Sequence, residues 1–109
     1  MSQIDTDTIC AIATPPGRSG VGVVRVSGPA CRAIAKKLLA VVPKHKQVHF
    51  GNFMDASGDS LDTGLALFFK APHSYTGEDV LELQGHGGGF LLNGLLKRLI
   101  ELGARPARP

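Results

Sequence analysis

Val80-Leu81-Glu82-Leu83-Gln84-Gly85-His86 is the stretch on which the reading of this chain turns. In an extended strand successive side chains point to opposite faces. Leu81 and Leu83 therefore share one face, and Glu82, Gln84 and His86 share the other. The segment reads as a strand with one face in a core. Val21-Gly22-Val23-Val24-Arg25-Val26-Ser27 reads the same way: it is rich in β-branched residues, and Arg25 interrupts its apolar run as Glu82 interrupts the other. Two meanings are open for Arg25 and Glu82. A polar strand face can be the solvated side of an antiparallel sheet. It can also line a pocket, where a carboxylate accepts two N–H bonds from an amidine-like ring edge and an arginine pairs with a carboxylate or carbonyl.

Working outward, Thr8 to Ala13 is a short apolar run that ends at Thr14-Pro15-Pro16-Gly17, a strand followed by a loop. After Ser27, Gly28-Pro29 opens a helix, with proline where its missing N–H costs nothing. Cys31, Ile34, Leu38 and Val41 recur at helical spacing, and Pro43 stops the helix. Gln47 to Met54 and Leu61 to Lys70 read as strands joined by the turn-rich Asp55-Ala56-Ser57-Gly58-Asp59. Phe90 to Glu101 carries a wide leucine stripe and Gly103 closes it. The order is two strands, a helix, three strands and a helix. It predicts an α+β fold, a β2-α-β3-α mixed sheet with two helices packed on it. The tail Ala104 to Pro109 has no capping feature and reads as the start of another element cut short.

The chain has 109 residues, enough for one modest core, with 43% apolar and 19% charged residues. No apolar run is long enough to span a bilayer, and Met1 to Asp5 has no basic or apolar signal character. A cytoplasmic protein that engages no membrane is expected. Cys10 and Cys31 form no C-x-x-C pair and sit among apolar neighbours, as buried reduced thiols do. A net charge of +3 is too weak to claim nucleic-acid binding. Arg32, Lys36, Lys37, Lys44 and Lys46 cluster in the sequence, where the ordinary reading is a helix face turned to water and the open alternative is a basic surface for RNA.

Short motifs add little. Thr14 to Gly22 is a Gly-rich turn without the Gly-Lys-Ser/Thr of a Walker A loop. Gly58-Asp59-Ser60-Leu61 and His86-Gly87-Gly88-Gly89 spell fragments of hydrolase signatures, but Ser60 lies in a hairpin turn and no G-x-S-x-G exists. His45, His49, His73 and His86 show no metal-ligand spacing, so no metal site is expected.

Long matches are more specific. Asp7 to Gly28, Ala71 to Gly88, Leu95-Leu96-Lys97-Arg98 and Gly103 to Pro109 together resemble, in order and over essentially the whole chain, the N-terminal domain of the MnmE (TrmE) family of tRNA-modifying GTPases. Gly89-Phe90 in place of Pro-Val, and Ser19 in place of a frequent glycine, are mild departures.

The resemblance implies a domain, residues 1–109, that binds a reduced folate such as 5-formyltetrahydrofolate and forms a homodimer. It implies a fold like half of the glycine-cleavage T protein folate-binding domain. It assigns Arg25 and Glu82 to the folate, Glu82 on the pterin amino and ring N–H edge. A further folate-contacting lysine, in an Asn-x-Lys-Leu-Asp-Leu segment, lies beyond Pro109 in the family. The parent proteins add a helical domain and a GTPase domain with sites for GTP, Mg and K. With the FAD-dependent partner MnmG (GidA) they modify the wobble uridine of tRNA at carbon five. No catalytic residue is expected in this chain and no GTP hydrolysis by it, since it has neither a Walker A loop nor an Asn-Lys-x-Asp. The rival reading is a pure dimerisation or interaction module that binds no folate.

Overall fold

The computed structural model describes residues 7–14, 20–86 and 88–107. The Gly-rich turn after Thr14 and the glycine after His86 thus fall largely outside the described residues. The elements are β1 (Ile9–Ile12), β2 (Val21–Ser27), α1 (Cys31–Leu39), β3 (His49–Met54), β4 (Ser60–Phe69), β5 (Val80–His86), α2 (Gly89–Glu101) and β6 (Arg105–Pro106). The fold is α+β: a six-stranded sheet in the order β3-β4-β5-β2-β1-β6 and two helices. β1 and β2 pair antiparallel, β3-β4-β5 form an antiparallel meander, and β5 closes back on β2. β6 runs parallel to β1, which makes the sheet mixed.

Register places Val24 opposite Leu83, Val26 opposite Leu81, and Ala66 and Phe68 opposite Leu83 and Leu81. These side chains form one continuous apolar face with Cys10, and Ile34, Ala35 and Leu38 of α1 and Leu92, Leu95 and Leu99 of α2 complete the core on it. Both helices thus cover the same side of the sheet. Gly64 is required where β4 meets β5: a Cβ there would overlap the Gln84 carbonyl oxygen.

The predicted helices and strands are present, with three differences. α1 begins at Cys31 and not at Pro29, which lies in the preceding turn with Ala30 as N-cap. It also ends at Leu39, because Ala40 adopts a left-handed conformation (φ 64°) that reverses the chain before Pro43 is reached. Val41 consequently leaves the apolar stripe and is exposed. The third difference is β6. Gly103 stops α2, as expected, and the tail then lies along β1: the Arg105 N–H donates to the Thr8 carbonyl at 2.9 Å, and Arg105 pairs with Asp7 at 2.9 Å.

Both cysteines are buried and free, as the sequence implies. The Cys31 thiol is fully enclosed and donates to the Val26 and Asp79 carbonyls at 3.2 Å each. Burial pushes its pKa from an ordinary 9.0 up to about 12. A folded-state pKa above the unfolded value gives stability that is complete below the unfolded pKa and lost as pH rises towards the folded one. Thermal unfolding of the chain should therefore show a falling melting temperature between 9.0 and about 12. Cys31→Ala should lower the melting temperature at neutral pH but flatten that alkaline decline. An unchanged alkaline slope in the variant would refute the assignment.

Candidate functional site

The face opposite the helices carries Arg25 and Glu82. β5 lies between β2 and β4, and register sets Arg25 directly across from Glu82, with Leu67 on its other side. Glu82 is only 7% exposed although no helix covers this face. A charge withdrawn from water is costly unless paired and hydrogen-bonded. Here both oxygens are satisfied: Arg25 Nε donates to Oε1 at 3.0 Å and Gln84 Nε2 donates to Oε2 at 2.8 Å. The solvated-face meaning left open by the sequence thus fails for Glu82 but holds for Arg25, whose side chain is 44% exposed.

The loop between β4 and β5 folds over the arginine. Tyr75 stacks on the guanidinium, whose carbon lies 4.6 Å from the ring centroid, and meets Phe69 edge-on at 5.5 Å. Ser27 and Thr76 hydroxyls bond at 2.8 Å and pin the same loop to the end of β2. Arg25 is therefore held between a carboxylate and an aromatic face. An ionised carboxylate has about four acceptor positions. Two are used here, so Glu82 can still accept further N–H donors. Around it Phe50 and Tyr75 are 69% and 66% exposed, and Val23, Leu65 and Leu67 are half-buried on this side. The uncovered face is apolar around a single buried charge.

A second polar constellation closes the far end of β5. Asp62 accepts from the His86 backbone N–H at 2.8 Å, from the Thr63 N–H at 2.8 Å and from His86 Nδ1 at 2.6 Å. The carboxylate accepts only, so Nδ1 carries the proton in this contact. Gly85 makes the approach possible, since a Cβ there would overlap Asp62 Oδ2. Burial raises the Asp62 pKa, but the His86 and Thr63 hydrogen bonds outweigh it and hold the carboxyl below its ordinary 3.8. Ser60 Oγ bonds Asp62 O and Asn52 Oδ1, and His45 Nδ1 accepts from the Lys70 N–H. Among the described residues no three of His, Cys, Asp and Glu converge as a metal site would require.

Sequence reasoning singled out Arg25 and Glu82, and the structure brings them into contact. It missed Tyr75 and Asp62. Tyr75 had no periodic signal, being in a loop. Asp62 could have been flagged through Gly85, since glycine inside a strand often marks a close approach.

The chain is an α+β domain with a mixed six-stranded sheet, two helices on one side of it, and a half-buried Arg25–Glu82 pair on the face the helices leave bare. Comparison with known proteins gives the family. The family described as the N-terminus of the GTP-binding protein TrmE matches residues 8–109, and the chain belongs to it. Proteins named tRNA modification GTPase MnmE are similar throughout: that of Alkalilimnicola ehrlichii is 61% identical over 94% of this chain, and that of Chromohalobacter salexigens 59% over 94%. The protein of that name in Saccharophagus degradans is 55% identical over the whole chain. The chain spans 22%, 23% and 24% of the Chromohalobacter, Alkalilimnicola and Saccharophagus proteins respectively. Among the described residues no helix is long and apolar enough to cross a membrane.

Asp62 offers a test of the local geometry. A depressed folded-state pKa contributes stability that is present above 3.8 and lost as pH falls below it. Asp62→Asn should cost about 1–3 kcal/mol at neutral pH, through the loss of charge-assisted bonds. The cost should shrink in acid, where the wild-type carboxyl is itself protonated. Urea unfolding at neutral and acid pH measures both, and an equal cost at the two would sink the assignment.

Proposed function

We propose that the bare face around Glu82 binds a reduced folate, of which 5-formyltetrahydrofolate is the working example, and that the face is completed by a second copy of the chain. The observation that carries the reading is Glu82 itself: a carboxylate that is buried on an uncovered face, oriented by Arg25 and Gln84, with acceptor capacity to spare. A neutral pterin presents adjacent N–H donors, and a carboxylate accepts two in parallel. The residues present fit that group. Glu82 would hold the pterin edge, Arg25 would bond a ring substituent or the glutamate end, and Tyr75 would offer its ring to a planar ligand. The folate would bring the one-carbon unit.

The half-buried apolar side chains around Glu82 support a homodimer, since a sheet face left to water is ordinarily polar. The family resemblance supports the same arrangement, each subunit supplying one half of a glycine-cleavage T protein-like folate domain. The domain would serve a cytoplasmic tRNA-modifying GTPase that acts with MnmG (GidA) at carbon five of the wobble uridine. GTP, Mg and K do not fit residues present here, because the chain has no Gly-Lys-Ser/Thr loop. The alternative is a dimerisation module without folate, favoured by one observation: both Glu82 oxygens already hold donors from within the chain.

Calorimetric titration with 5-formyltetrahydrofolate separates the two. It is run on the 109-residue chain and on a longer chain that includes the Asn-x-Lys-Leu-Asp-Leu segment. Glu82→Gln replaces an acceptor with a donor and should weaken binding by roughly 1.5–3 kcal/mol, about ten- to a hundredfold. An affinity within twofold of wild type would remove Glu82 from the site. Light scattering at micromolar concentration should give a dimer mass, and a strictly monomeric one would defeat the second half of the proposal.

A further inference from the structure

Arg32, Lys44, His45 and Lys70 surround a cleft of about 300 Å³ floored by Pro43 and Phe68. Phe68 belongs to the helix-covered face, so the cleft opens on the other side of the sheet from Glu82. Three separate stretches of chain supply the four side chains: the first turn of α1, the segment before β3 and the end of β4. Arg32 and Lys44 belong to the basic set for which the sequence leaves plain solvent contact and an RNA surface both open, and both are exposed here. Among the described residues none of Arg32, Lys44 and Lys70 has a carboxylate within 4.0 Å, whereas Arg25, Arg98 and Arg105 are each paired with one. The neighbouring Asp79 turns Oδ1 to the Ala71 N–H at 2.9 Å.

The cleft is also held in shape. The Arg32 guanidinium rests over the Phe68 ring, 5.2 Å from its centroid. His45 forms an isolated parallel bridge with Phe68, and the Lys46 N–H donates to the Phe68 carbonyl at 2.9 Å. His45 Nδ1 accepts the Lys70 N–H at 2.8 Å, so its ring proton sits on Nε2 and the neutral ring remains a donor. A planar guanidinium, two ammonium groups and an imidazole N–H gather more positive charge than one carboxylate would balance. They match a multiply charged oxyanion.

From this we infer that the cleft binds phosphate, either in a polynucleotide backbone or in a small free polyphosphate. The site does not depend on the folate reading, since it shares no residue with it.

The test uses two probes on the 109-residue chain: inorganic pyrophosphate by calorimetry, and a fluorescent RNA stem-loop by anisotropy over a series of salt concentrations. The variants are Lys44→Gln with Lys70→Gln, and Lys70→Gln alone. All these side chains are exposed, so the fold should be retained, which melting curves verify. Lys37→Gln with Lys97→Gln removes equal charge from exposed positions elsewhere. The cleft variants should bind about tenfold more weakly for each lysine replaced, while the control pair stays within about twofold, the range expected of screened surface charge. For RNA, the slope of log affinity on log salt should also fall by about 0.7–0.9 for each phosphate no longer neutralised. Binding of pyrophosphate without RNA assigns the cleft to a small polyphosphate, and binding of RNA assigns it to a backbone. The inference is overturned if neither probe binds, or if the control pair weakens binding as much as the cleft pair does.

Discussion

The pairing of β2 with β5 is the constraint from which the rest of the domain follows. It joins segments whose central pair, Arg25 and Glu82, is 57 residues apart, and each other strand hangs from it: β1 and β6 on one side, β4 and β3 on the other. One register settles two faces at once. It sets Val24 and Val26 against Leu83 and Leu81 beneath the helices, and it sets Arg25 against Glu82 on the bare side. A slip of one residue would turn the charges into the core and the core into water. The ion pair therefore reports register as well as chemistry, because the buried carboxylate finds its guanidinium only when the strands are aligned.

Much of this is legible in the residues. The alternation in Val80 to His86 and the leucine stripe of α2 fix their elements because their periods are clean and their cores are on one side. β5 has the predicted limits. Boundaries set by backbone geometry are not legible in the same way. Nothing in Ala40 announces a left-handed cap, since that conformation is unfavourable for alanine, and so apolar spacing alone carries Val41 into the helix. β6 is invisible because two residues have no period. It exists only because β1 offers an edge to them.

The candidate site divides along the same line. Arg25 and Glu82 can be found because each breaks an apolar run, a local conflict of the kind that marks functional positions. Their mutual contact follows from register, which no single segment encodes. Tyr75 and the four residues around the basic cleft come from different stretches of chain, and only the fold assembles them. The basic residues show this most plainly. Lys44 and Lys70 lie far apart in sequence and are ordinary in type, and they become a charge cluster only because the segment before β3 bridges back to the end of β4.

Tyr75 carries one more consequence. The chain has one tyrosine and no tryptophan. That ring rests on the guanidinium that holds Glu82. The intrinsic ultraviolet emission of the whole chain therefore originates within a few ångströms of the candidate site. An event that shifts Arg25, or fills the space beside it, changes the surroundings of the one tyrosine in these 109 residues. The protein carries its own optical reporter where it is most informative, and needs no added label for occupancy of that face to be followed in solution.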